Sequence, residues 1–86
     1  MWKKLREVLI GVWRESFPNL RPPNPGQFNR WIYSHGGDVD RISRGIRNAG
    51  IANAKRETPY GLGAAVKVAS ADMNRQRTLS ERKEAA

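Results

Sequence analysis

The sequence predicts an all-α fold, a small single-domain bundle of about four helices with a flexible basic C-terminal tail. Three observations carry this. Apolar residues recur every three or four positions, with no convincing alternation of period two. Proline and glycine punctuate the chain at the ends of each periodic segment. The 86 residues suffice for one thin core, and with no cysteine that core has no disulfide to reinforce it.

In the first segment, Trp2, Leu5, Val8, Leu9, Val12 and Trp13 share one arc, with Lys3, Lys4, Glu7 and Arg14 across from it. Phe17-Pro18 ends this helix, because a residue before proline avoids the α region. Asn24-Pro25-Gly26-Gln27 reads as the next start, with Asn24 capping and Pro25 at the first helical position. Phe28, Trp31, Ile32 and His35 then share a face, and Gly36-Gly37 closes the helix. His35 falls at that helix's C-terminus, where an imidazolium is favourable.

Asp38 caps a third helix over roughly residues 39–55. Val39, Ile42, Ile46, Ala49 and Asn53 form its apolar face, and Arg41, Arg44, Asn48 and Lys55 lie opposite. Gly45 and Gly50 each cost about 1 kcal/mol relative to alanine, which is tolerable where another helix crosses closely. Asn53, at the end of the stripe, reads as a fraying position. Thr58-Pro59 repeats the start signal for a fourth helix, with Leu62, Ala65, Val66, Ala69 and Met73 inward and Tyr60, Lys67 and Asn74 outward. The domain is expected over residues 1–74, and residues 75–86, with only Leu79 as an anchor, as a frayed or disordered basic tail.

Nothing in the chain assembles a catalytic constellation, so a non-enzymatic protein is expected. Asp38 and Asp40 are accounted for as a cap and a first-turn acid. Gly61-Leu62-Gly63 lacks the Lys-Ser/Thr of a phosphate loop. Ser80-Glu81-Arg82-Lys83 matches a bare Ser-x-x-Lys pattern, but in the tail, with no pocket to activate the serine. One histidine and no cysteine argue against a metal site, and no cofactor is expected. The run Val8-Leu9-Ile10 is too short for the apolar core of a signal peptide, and no stretch reaches a membrane span. A cytoplasmic protein is therefore expected.

Sixteen Lys and Arg oppose eight Asp and Glu, a formal charge of +8 that is spread along the chain rather than confined to its tail. Cations that meet phosphates release counterions, and an aromatic beside them can stack on a base. On that chemistry the candidate nucleic-acid contacts are Arg41, Arg44, Lys55, Arg56, Tyr60 and Lys67, with Arg75 and Arg77 adding non-specific affinity. No recognition helix of a helix-turn-helix stands out, so weak sequence specificity is expected. The alternative is a small basic adaptor or inhibitor from a phage or mobile element, docking on an acidic helicase, polymerase or nuclease. Trp2 and Trp13 would then be its interface anchors, against that partner or a second copy.

The order of features also resembles the C-terminal domain of the DnaD/DnaB-like replication-initiation and phage replisome-organiser proteins. The resemblance runs through Val12-Trp13-Arg14-Glu15-Ser16-Phe17, the proline-rich linker and Pro25-Gly26-Gln27-Phe28-Asn29-Arg30-Trp31-Ile32. It continues in Ile42-Ser43-Arg44-Gly45-Ile46-Arg47-Asn48-Ala49, then Asn53-Ala54-Lys55-Arg56 and Tyr60, covering about residues 8–70. It implies DNA binding, single-stranded or duplex, within a primosome-type assembly, and contact with an initiator or helicase-loading partner in a bacterial or phage-infected host. The chain departs from the pattern in the last helix. Ala64 and Ala65 stand at the family's Ile-Leu positions and Val68 at its Trp, leaving Tyr60 as that segment's only aromatic.

Overall fold

The computed structural model describes residues 2–85, with side chains through residue 83. Its elements are α1 (Trp2–Ser16), α2 (Pro25–Ser34), α3 (Val39–Ala54) and α4 (Leu62–Ala85), with no strand among the described residues.

The boundaries follow local chemistry. After α1, the Phe17 and Leu20 amides bond back to Trp13 O and Phe17 O, and the Trp13 indole Nε1 donates to Leu20 O at 3.0 Å. The chain is thereby folded back before Pro22-Pro23. Asn24 Oδ1 accepts the Gln27 amide at 3.0 Å with Pro25 at the first helical position, as the sequence predicts. At the other end of α2, Gly36 and Gly37 have φ of +59° and +78°. Gly37 N donates to Ile32 O and Gly36 N to Tyr33 O, the paired bonds of a Schellman closure. Asp38 Oδ1 then accepts the Arg41 amide and starts α3.

The core is one cluster of Leu9, Val12, Trp13, Phe17, Phe28, Trp31, Ile32, Ile42, Ile46, Ala49, Ala65, Ala69 and Met73. Its centre is aromatic. Trp13 stacks on Phe17 at 4.5 Å and on Trp31 at 6.4 Å, and Phe28 meets Trp31 edge-on at 5.6 Å. Both indole N–H groups are satisfied, Trp31 Nε1 donating to Ser70 Oγ of α4 at 2.8 Å. The aromatic centre therefore buries no unpaired indole donor.

Helix α3 packs against all three others. A methyl group at Gly45 would collide with Met73 Cγ and stand 3.1 Å from Ala69 O, and one at Gly50 would stand 2.7 Å from Ser16 O. The glycines mark the crossings of α4 and α1, which is the physical reason anticipated for them.

Three expectations are corrected, and the course of the C-terminal segment is described with them. Helix α4 begins at Leu62, not at Thr58-Pro59, because Asn53 Oδ1 takes the Tyr60 amide at 2.7 Å and Gly61 O accepts the helix's first bond. Asn53 is thus a loop anchor and not a fraying position. The segment from residue 75 continues α4 as helix to Ala85, with Gln76 and Arg77 bonded to the bundle; residue 86 lies outside the described residues. Finally, His35 is only 6 % exposed and its Nδ1 has no partner. Burial first, then the charges of Arg77 and Arg41, push its pKa below the ordinary 6.5, against an opposing pull from Asp38. The imidazolium expected at this helix end is therefore disfavoured.

Gly50→Ala is expected to lower the urea midpoint, since overpacking against a backbone oxygen (about 1–3 kcal/mol) exceeds the propensity gain of about 1 kcal/mol. Gly11→Ala, with nothing within 4 Å, raises it. His35, whose pKa in the fold is lowered from the 6.5 of the unfolded chain, contributes no penalty above that pH. As the pH drops below 6.5 the unfolded state binds the extra proton, so stability declines, and His35→Gln flattens this part of the profile.

Candidate nucleic-acid interface

The helical wheel of α3 places Asp40, Arg44, Arg47, Asn48, Ile51 and Lys55 on its outer face, flanked by the two crossings. All of these are solvent-exposed, and Asn48 reaches toward Asp72 of α4. From Arg44 to Lys55 the face extends about 16 Å at 1.5 Å per residue.

The edge between α3 and α4 is organised by Asp72. Its carboxylate accepts Asn48 Nδ2 at 3.0 Å, Gln76 Nε2 at 2.5 Å and the Arg75 guanidinium. Gln76 Oε1 in turn accepts Arg44 Nε at 2.8 Å. Arg44 and Arg75 are thus brought to one edge. Lys83 joins Arg44 in lining the adjoining groove, together with Gln76, Leu79 and Ser80.

The other candidates separate. Arg41 is withdrawn: its side chain is 17 % exposed and pairs with Asp38 at 3.7 Å. This corrects its placement on the outer face, since it lies about 60° round α3 from Arg44. Lys55 is exposed at the α3 C-cap. Arg56 donates to Thr58 O at 3.0 Å and lies over the Tyr60 ring, 4.4 Å from its centroid. Tyr60 is half-buried against the core, beside Phe17, Leu20 and Asn53. One of its faces is covered by Arg56, which removes the freely stacking outward ring that the sequence predicts.

Lys67 is exposed but lies about 140° round α4 from Asp72, on the side that meets α2. Arg77 goes to that side too, donating to Ser34 O at 3.1 Å. Trp13 is fully buried and cannot be an interface anchor, because its arc faces the aromatic core; Trp2 alone of that pair reaches the surface. Sequence reasoning missed Arg47, although its position one turn from Arg44 carried the signal.

Among the described residues the only ion pairs within 4 Å are Asp38–Arg41 and Asp72–Arg75. No group of three or more His, Asp or Glu there could hold a metal ion, and no helix is long and apolar enough to cross a membrane.

No family model, no curated protein and no solved structure matches the chain.

Asp72→Ala removes the shared acceptor of Asn48, Gln76 and Arg75, and hydrogen bonds to a charged group contribute about 1.5–3 kcal/mol. The expected result is a loss of about 1–3 kcal/mol in denaturant unfolding, larger than for Glu81→Ala, whose carboxylate is exposed and has no ion pair among the described residues.

Proposed function

We propose that this protein is a non-enzymatic nucleic-acid-binding module that holds DNA mainly through phosphate contacts, with weak sequence specificity. The observation that carries the reading is the cation-rich outer face of α3, on which Asp40, one turn before Arg44, is the one acid. Arg44, Arg47 and Lys55 are exposed there, no carboxylate among the described residues pairs with any of them, and Lys83 extends the positive edge onto α4, where Arg75 is paired with Asp72. A row of about 16 Å matches the rise of roughly five nucleotides at 3.4 Å each. Polar Asn48 and the exposed aliphatic Ile51 between the cations suit sugar and backbone contact better than base-edge readout. Two of the three tryptophans are interior, which favours a polar partner over a large apolar one.

The biological setting rests on the DnaD/DnaB-like resemblance carried by Trp13, Trp31, the Ile42–Ala49 pattern and Tyr60. On that basis the module belongs to a replication or primosome-type assembly of bacterial or phage origin, in contact with an initiator or the replicative helicase.

Fluorescence anisotropy with a labelled oligonucleotide tests the reading. Binding weakens steeply as salt rises, and Arg44→Ala combined with Lys55→Ala lowers both the affinity and the salt slope, by roughly 0.7–0.9 for each phosphate no longer neutralised. Absence of binding at low salt overturns it.

A further inference from the structure

The surface aromatics of this protein are not where its α3 cations are. Tyr33 is 79 % exposed and Trp2 38 %, and both line one groove between the start of α1 and the end of α2. Leu5 and Ile32 form its floor, and Gly36 and Gly37, each with open space where a side chain would begin, leave its end unobstructed.

The charge around this groove is one-sided. No acidic residue occurs between Glu15 and Asp38, so α2 carries none. Arg30 is exposed one turn before Tyr33. Arg6 reaches across from α1, its Nη1 donating to Asn29 Oδ1 at 2.9 Å, and a guanidinium so held keeps other N–H groups for a ligand. From the far side of α2, Arg77 is fixed on Ser34 O. The acids nearest in sequence do not oppose them. Asp38 is engaged by the Arg41 amide and guanidinium, and Glu7 lies about 140° round α1 from Trp2.

We infer that the Trp2–Tyr33 groove, flanked by Arg6, Arg30 and Arg77, is a stacking site for the bases of a single-stranded nucleic acid. Flat rings exposed at a groove with Arg6 and Arg30 on its flanks, and with Asp38 at its glycine end already engaged by Arg41, match a ligand that alternates π-faces with phosphates. An apolar protein partner would call for no such charge, and a duplex hides the faces on which the rings stack. The inference rests on the nucleic-acid reading above and adds to it both a second surface and a strand preference.

The test compares an oligothymidine with a hairpin duplex in anisotropy titrations of the whole chain. Tyr33→Ala lowers single-strand affinity by about five- to a hundredfold, the range for one lost base stack. It leaves the duplex affinity within about twofold and the salt slope unchanged, because no cation is removed. Tyr33→Phe restores the affinity. Since Trp13 and Trp31 are buried, strand binding quenches chiefly Trp2 emission, and Trp2→Phe abolishes that quench. Tyr33 is largely exposed, so an unchanged thermal melt verifies the fold of its variants.

If the wild type binds with a salt slope while Tyr33→Ala changes nothing, or weakens strand and duplex equally, this inference falls and the α3 reading stands. If the wild type binds no nucleic acid at low salt, both fall. A Tyr33→Ala chain that changes its sedimentation coefficient, and not its strand affinity, reassigns the groove to self-association.

Discussion

Helix α3 can touch every other helix because Gly45 and Gly50 leave its backbone bare where α4 and α1 cross it. At Gly50 the opposing atom is the Ser16 carbonyl oxygen, which no rotamer change can move aside. The facing residues of α4 are correspondingly small, Ala65 and Ala69, with Met73 as an adaptable filler. Close approach on both flanks brings Ile42, Ile46 and Ala49 onto the aromatic cluster of Trp13, Phe17, Phe28 and Trp31. Two glycines that weaken α3 as an isolated helix are thus the condition for its central position in the bundle.

Much of this architecture was legible because it depends on short-range chemistry. Asn24-Pro25, Gly36-Gly37 and Asp38 each act on backbone groups within five residues, so the local sequence contains all that the cap requires. The start of α4 was not legible. Thr58-Pro59 has the composition of a start, but the Tyr60 amide is taken by Asn53, seven residues back in the preceding helix. A bond of that span depends on where α3 ends, which composition alone does not specify.

The candidate site was legible in part, for a related reason. Periodicity separates the inner face of a helix from its outer face, and Arg44 and Lys55 are indeed exposed. It does not say which neighbour covers the margins. Arg41 lies only about 60° from Arg44, yet it is drawn down onto Asp38. Lys67 and Tyr60 share a heptad spacing, but only Lys67 is on a helix; Tyr60 precedes α4 and turns into the core. The Trp2–Tyr33 groove depends on how α1 and α2 pack, and its two rings are far apart in sequence. No single window of the chain could contain it.

The outer faces of α2 and α3 turn away from one another, since both helices aim their apolar stripes at the same aromatic cluster. Between them lie α1 on one flank and α4 on the other, and α4 is bound to both, through Ser70 and Arg77 to α2 and through Asp72 and Gln76 to α3. The two faces also differ in kind. One is a row of cations with no exposed aromatic, suited to backbone charge at any base composition; the other is a ring-lined groove with cations only at its border. A polyanion with unpaired bases can use both chemistries, whereas a duplex can use only the first. On the proposed reading the cations of the two faces therefore have different roles, and the unequal distribution of aromatics between the faces is what separates them.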